Sequence, residues 1–290
     1  MIPATFDYHA PSTLDEALQL LARHGDAAKL LAGGHSLIPA MRFRLAQPEI
    51  LIDLNKLDGL RYVREEGNVL AIGAMTPESW LEESAVVQQR YPLLADAVSV
   101  IADPLVRNRG TVGGNLAHAD PANDQPAVML AYGATIVAQG PGGRRNIAID
   151  DFFVNLFESS LQPGEIMLEI RVPAPGASSG GAYVKMERKV GDYATSAVAV
   201  QLTMNGPTIS AARVALTNVN PVPMRSPGAE AALVGKAATE EAFEAAGKAA
   251  AAECDPSSDL RGSADYKRDV TRVLAKRAIR RAVARAQGRS

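Results

Sequence analysis

Two short segments carry residue types suited to holding a charged ligand: Ala32-Gly33-Gly34-His35-Ser36 and Thr111-Val112-Gly113-Gly114-Asn115. Each is an adjacent glycine pair followed by a polar residue. Such pairs admit positive φ and let the backbone approach another group closely. Successive N–H groups in the turn converge on an anion, and a helix opening just after the first pair adds the field of its N-terminus. One pair alone marks an ordinary turn. Two with matching flanks predict a ligand with two phosphates clasped from both sides, and a dinucleotide pyrophosphate fits. Neither segment is a Gly-x-Gly-x-x-Gly fingerprint or a phosphate loop ending in Gly-Lys-Ser/Thr. Dinucleotide binding outside a Rossmann fold is therefore the narrower expectation.

Other candidates for chemistry are few. Cys254 is the one cysteine, so the chain forms no internal disulfide, four-cysteine zinc site or iron–sulfur cluster. Redox chemistry here must rest on an organic cofactor. His118, Asp120 and Asp124 crowd one polar stretch, but no second cluster completes a metal site, and no metal is expected. No Ser-His-Asp or Cys-His arrangement stands out, so no catalytic side chain is assigned.

The elements that must position the two segments follow from periodicity. Residues 11–25 read as an amphipathic helix, with Leu14, Ala17, Leu18 and Leu21 on one face, Ser12 or Thr13 as cap and Gly25 as stop. Lys29–Leu31 forms a short strand into the first glycine pair. Residues 50–54 form another strand, and two short strands flank Gly67-Asn68 as a hairpin. A helix begins after Thr76, with Pro77 in its first turn. Residues 93–102 read as a buried, nearly all-apolar helix. Residues 104–124 read as mostly loop, 126–132 as helix, and 134–138 and 146–149 as strands around Gly140–Gly143. Residues 165–172 form a clear strand. The run 173–181, rich in Pro, Gly and Ser, reads as a linker. Strands at about 182–189, 195–204 and 208–217 follow it, then only helices, the last at about 264–286. Strands and helices in blocks give an α+β fold.

Length and composition agree with two domains: 290 residues, 47% apolar and 21% charged. The net charge is −2, from 30 basic and 32 acidic side chains, which argues against a nucleic-acid partner. The basic segment from Arg261 onward reads either as a solvated helix face or as a docking surface for an acidic partner. Its one aromatic, Tyr266, is not repeated along the basic residues, so nucleic acid is not expected as the partner. No signal peptide precedes the first helix, and the apolar stretch 242–254 is too short and too charged to span a bilayer. A soluble, cytoplasmic chain is expected.

The two glycine segments, together with Ile101-Ala102-Asp103-Pro104, Arg109-Gly110 and Arg188-Lys189-Val190-Gly191-Asp192-Tyr193-Ala194, resemble the medium, FAD-binding subunit of molybdenum hydroxylases of the xanthine dehydrogenase-like group. The Ala-Gly-Gly-His-Ser and Lys-x-Gly-Asp-Tyr-Ala versions point to the carbon monoxide dehydrogenase branch. The resemblance runs from Phe6 to the last helix.

It implies an N-terminal two-lobed α/β FAD-binding domain (residues 1–175, lobes about 1–55 and 56–175). A C-terminal domain (176–290) of three antiparallel strands and a helical bundle would follow. It implies FAD, with its pyrophosphate between Ala32–Ser36 and Thr111, Gly113, Gly114 and Asn115. Ile101 and Ala102 would lie close to the flavin, Asp124 would hydrogen-bond the ribityl or ring-proximal region, and Leu161 would line the pocket near the adenine or the ring edge. Lys185 would reach the polar ring edge and Tyr193 would cover the isoalloxazine. His35 reads equally as a helix cap, Lys185 as an edge-strand lysine and Tyr193 as a sheet aromatic. The implied partners are a large molybdenum-cofactor subunit and a small [2Fe-2S] subunit in a dimer of heterotrimers, with membrane electron acceptors at the inner face of the membrane. The alternatives are a medium subunit for an N-heterocycle or aldehyde, a self-contained flavin oxidoreductase, and a non-enzymatic nucleotide-binding module.

Overall fold

The computed structural model describes residues 2–289; Met1 and Ser290, the outer ends of the two expected domains, lie outside it. The chain opens with a small parallel sheet in the order β1-β3-β2, formed by β1 (Asp7–His9), β2 (Ala28–Leu31) and β3 (Ile50–Asp53). Between them lie α1 (Leu14–His24) and α2 (Leu37–Arg42). Thr13 caps α1 by accepting the Glu16 N–H, and Gly25 ends it at φ +49°. Ala17 and Leu21 bury the inner stripe of α1 against Ile50 and Ile52. β1 is an addition to the elements legible in the sequence.

A second, wholly antiparallel sheet follows in the order β4-β5-β10-β6-β7. Its strands are β4 (Val63–Glu66), β5 (Val69–Gly73), β6 (Thr135–Gly140), β7 (Gly143–Ala148) and β10 (Ile166–Pro173), with a small outlying hairpin of β8 (Phe153–Asn155) and β9 (Glu158–Ser159). Inserted after β5 are α3 (Glu78–Glu83), α4 (Ala85–Arg90), α5 (Pro92–Val98), α6 (Pro104–Arg107), α7 (Val112–His118) and α8 (Asp124–Tyr132). Three expectations shift here. Pro77 stands before α3 in extended conformation, as its cap, not in its first turn. The helix expected over 93–102 stops at Val98, and two carbonyls beyond it are taken by side-chain cations: Lys185 Nζ donates to Val100 O and Arg107 Nη1 to Ile101 O, both at 2.9 Å. The stretch expected as loop contains α6 and α7.

The C-terminal part is an antiparallel sheet, β11 (Ser179–Glu187), β12 (Ala194–Asn205), β13 (Thr208–Thr217) and β14 (Met224–Arg225), followed by α9 (Pro227–Leu233), α10 (Glu240–Glu253) and α11 (Ala264–Ala286). The two-residue β14 is a fourth strand where three were expected. Alternation along β12 divides two cores. Val198, Val200 and Leu202 face the helices of this part, whereas Ala197 and Ala199 share the core of the preceding lobe with Tyr183 and Ala215. Alanines there let α5 and α8 lie close on the sheet.

The expected linker is half strand. Only 174–178 connect β10 to β11, and Gly180 and Gly181 lie inside β11. A Cβ on Gly180 would fall on the Ala282 carbonyl oxygen and 2.5 Å from the Ala286 nitrogen, so α11 rests directly on the strand backbone. The basic face of α11 is mostly taken up within the chain. Arg272 and Lys276 pair with Glu244, Arg280 with Glu240, Lys267 with Asp259, and Arg281 and Arg285 with Asp96 of α5. That arrangement fits a structural role better than an open docking surface. Gly180→Ala should push α11 off β11 and cost about 1–3 kcal/mol; thermal unfolding measures it, and an unchanged midpoint would contradict the packing described.

Candidate functional site

The first glycine segment links β2 to α2. Asp53 Oδ1 holds the Asn55 amide at 2.6 Å, and that amide donates to Ala32 O at 2.9 Å, fixing the entry to the turn. His35 Nδ1 lies 3.1 Å from Gly33 O and braces the turn from its outer side. Gly34 has φ +81°, where a Cβ would be strained and would sit 2.7 Å from Ile38 Cδ1. The N–H groups of Gly33, Gly34, His35 and Ser36 donate to no acceptor among the described residues. Unpaired N–H groups in one turn form an anion-binding concavity.

The second segment is built differently, and the expected symmetry of the two glycine pairs does not hold. Thr111 caps α7, so Gly113 and Gly114 sit in the first helical turn and neither has positive φ. Their N–H groups are consumed: Val112 donates to Thr76 O, Gly113 to Ala74 O, Gly114 to Thr111 Oγ1 and Asn115 to Thr111 O. These glycines serve close approach instead. A Cβ on Gly113 would lie 2.6 Å from Ala74 O, and one on Gly114 would lie 2.7 Å from Thr111 Oγ1 and 3.4 Å from Ala32 Cβ. The segments meet directly at Gly33, whose missing Cβ would fall on the Arg109 carbonyl oxygen.

Between them opens a cleft of about 570 Å³, within the range of small-molecule and cofactor sites. Twelve of the sequence-assigned residues line it: Ala32, Gly33, Gly34, His35, Ser36, Ile101, Ala102, Thr111, Gly114, Asn115, Asp124 and Tyr193. Gly113, Leu161 and Lys185 do not. Gly113 is buried against Ala74, Leu161 packs on the core of the second lobe, and Lys185 lies behind the wall with its side chain 4% exposed.

Lys185 acts through Asp124. Its Nζ lies 2.9 Å from Asp124 Oδ2, while Tyr183 Oη donates to Asp124 Oδ1 at 2.6 Å. Burial raises the Asp124 pKa, and Lys185 and Tyr183 oppose that rise. Tyr193 belongs to the turn between β11 and β12. Arg261, pinned by Asp192 at 2.6 Å, holds its guanidinium 5.4 Å from the Tyr193 ring centroid. In the same turn Gly191, at φ +80°, leaves room for the Ala102 carbonyl, 2.8 Å from where its Cβ would be. Ala102 is itself at φ +45°.

Several contributors escape a reading by motif. Glu78 lines the cleft while only 2% exposed. Arg107 donates to Glu82 and to Ile101 O, so it braces the Ile101–Ala102 turn and is not free for phosphate. Tyr183 and Asn55 carry no signal beyond their place in a strand or just after one.

Residues 4–175 match the family described as the FAD binding domain in molybdopterin dehydrogenase, and residues 181–282 match the CO dehydrogenase flavoprotein C-terminal domain. The chain belongs to this family of molybdenum hydroxylase flavoproteins, and it is an FAD-binding oxidoreductase subunit. It is 52% identical to the carbon monoxide dehydrogenase medium chain of Hydrogenophaga pseudoflava, over 98% of this chain and 99% of that one. It is 38% identical to the 6-hydroxypseudooxynicotine dehydrogenase complex subunit alpha of Paenarthrobacter nicotinovorans, over 99% and 97%. A solved structure of carbon monoxide dehydrogenase from Hydrogenophaga pseudoflava, lacking the Mo-pyranopterin moiety of its cofactor, superposes with a TM-score of 0.96 at 53% identity, covering 98% and 99% of the two chains.

The residues present fit FAD. Four N–H groups in the first turn, unpaired among the described residues, suit a pyrophosphate, and the two loops meet backbone to backbone at Gly33. Gly34→Val should strain the turn by about 1–3 kcal/mol and weaken FAD binding at least about tenfold. Flavin fluorescence titration with far-UV circular dichroism as fold control measures this; full FAD retention would refute the first-loop assignment. Lys185→Met should leave Asp124 buried without its cation, with only Tyr183 still donating to it, at a cost of about 3–5 kcal/mol. Asp124 then holds its proton in the fold to higher pH than in the unfolded chain, so the stability deficit should grow as pH rises above the carboxylate range and shrink below it. Unfolding curves at about pH 5 and about pH 8 test this, and a deficit independent of pH would contradict it.

Proposed function

We propose that this chain is the medium subunit of a carbon monoxide dehydrogenase, working with a large molybdenum-cofactor subunit and a small [2Fe-2S] subunit. The observation that carries the reading is the 52% identity along 98% of the chain to a medium chain of that name. The second reading, a medium subunit for an N-heterocycle or aldehyde, draws on the 38% identity to a 6-hydroxypseudooxynicotine dehydrogenase subunit. The lone Cys254 is buried, its thiol pushed up to about 11 by burial, so cluster ligands must come from another chain.

FAD bound in the cleft supplies the change between one-electron delivery from clusters and two-electron discharge to an external acceptor such as a quinone. The chain binds and orients it. The N–H groups of Gly33–Ser36 hold the pyrophosphate, Thr111, Gly114 and Asn115 close the opposite side, and Gly113 sets their approach from below. Ile101 and Ala102 present a fixed turn to the flavin, Asp124 offers a carboxylate, and Tyr193 covers the ring and excludes water. Lys185 positions Asp124, and Leu161 supports the wall. Residues 1–175 form the FAD-binding unit and 176–290 the unit that buttresses it. The proposal includes a dimer of heterotrimers in the cytoplasm, meeting membrane acceptors at the inner face. No helix among the described residues is long and apolar enough to cross a membrane.

Co-expression with its partner subunits and purification of the complex tests the reading. Dye reduction driven by carbon monoxide is the expected result. Hydroxylation of an N-heterocycle or aldehyde without carbon monoxide oxidation would overturn it in favour of the second reading. Steady turnover of a substrate by this chain alone would favour a self-contained flavin oxidoreductase.

A further inference from the structure

Glu78 is the cleft residue whose chemistry is not explained by the fold. It is the first residue of α3, and its backbone N–H donates to Gly110 O at 2.9 Å, so its position is tied to the approach of the second loop. Its Oε2 accepts the Gln125 amide at 2.8 Å, but Oε1 is buried with no partner. The side-chain oxygens of Asn115 and Gln125 are likewise buried and unpartnered. A buried polar atom left unpaired is costly, and the Oε1 of Glu78, on a residue that lines the cleft, has no hydrogen-bond partner among the described residues.

The charges around Glu78 do not favour an ionised carboxylate. From α8, Asp124 faces it with a like charge and is itself held by Lys185 and Tyr183 of β11. From α6, Arg107 attracts it, but that guanidinium is committed to Glu82 of α3 and to Ile101 O. From α7, Asn115 offers a neutral amide, and His118, which also lines the cleft, is kept towards its neutral form by burial. No Lys or Arg lines the cleft. Burial in this setting pushes the Glu78 carboxyl up to about 8, so near neutral pH it carries a proton and has an O–H to donate.

We propose that Glu78 is a cofactor-binding residue that works as a neutral acid: Oε1 donates its proton in a hydrogen bond to a polar atom of the bound flavin nucleotide, and loss of that proton weakens nucleotide retention. This rests on the FAD-binding assignment of the cleft. It adds a pH-sensitive contact beside the second glycine loop. An ionised Glu78 would remove the donor and place a second negative charge beside Asp124, near an occupant that is itself an anion.

The test is FAD binding to the full chain, read as quenching of flavin fluorescence from about pH 6 to about pH 9.5. Wild type should bind with nearly constant affinity up to about pH 7.5 and lose about tenfold per unit well above about pH 8. Glu78→Gln keeps the shape and an N–H donor, and should bind within a few fold of wild type at low pH with no fall at high pH. Glu78→Leu removes the donor and should bind at least about tenfold more weakly throughout. FAD-induced infrared difference spectra should show a perturbed carboxylic-acid carbonyl band in wild type that is missing in Glu78→Gln. Identical pH profiles for wild type and Glu78→Gln, or full affinity in Glu78→Leu, would overturn the proposal while leaving the FAD assignment standing. Folded wild type that binds no FAD at any pH would overturn both. The wild-type profile alone is decisive if a variant fails to fold: a flat profile refutes the proposal.

Discussion

The buried contact between Lys185 and Asp124 joins the two halves of the molecule at the cleft. Lys185 comes from the C-terminal sheet, Asp124 from the first turn of α8, and their side chains are 4% and 6% exposed. In a medium of low polarity each charge would be very costly alone, so neither can leave without the other. The same ammonium binds the Val100 carbonyl, just before the Ile101–Ala102 turn. Tyr183, two residues earlier on the same face of β11, completes the carboxylate's partners. One strand of the C-terminal sheet therefore fixes a wall of a site that lies otherwise in the N-terminal half.

The cleft is made for an anion without presenting a cation to it. Arg107, Lys185 and Arg261 surround it, and each is committed to a carboxylate: Glu82, Asp124 and Asp192 respectively. Attraction falls instead to the unpaired N–H groups of the first turn, whose dipoles are rigid because the turn is braced by Asn55 and His35. Fixed dipoles favour one geometry of ligand, where flexible lysines would accept many. The second loop contributes contact and not charge: its N–H groups are used within the protein, and its glycines allow backbone to meet backbone.

The alternation of β12 is the packing counterpart. Large side chains on one face fill the helical bundle, and alanines on the other admit α5 and α8. Through Asp96, α5 is then tied to Arg281 and Arg285 of α11. The long basic helix that looks in isolation like a surface for an acidic partner instead spends most of its charge within the chain.

Much was legible in the sequence. Helical periodicity located α1 and α11, alternation and turn residues located the hairpins and the long C-terminal strands, and paired glycines marked both loops of the site. Local patterns suffice there because side-chain spacing and backbone freedom are properties of a short stretch. The helical state of Gly113-Gly114 and the strand hidden in the Gly-rich linker were not legible, since each depends on a distant partner: Ala74 on Gly113 and α11 on Gly180. The same holds for Glu78, which reads as an ordinary helix-starting carboxylate. The sequence by itself determined that this chain pairs glycines in two turns and holds one thiol, too few for a cluster, because glycine pairs and a count of thiols are local facts. Only the tertiary structure decided which glycine pair offers free donors among the described residues, which lysine stands behind the wall and which acid is buried in it. Burial and hydrogen-bond pairing are set by residues far away in the chain.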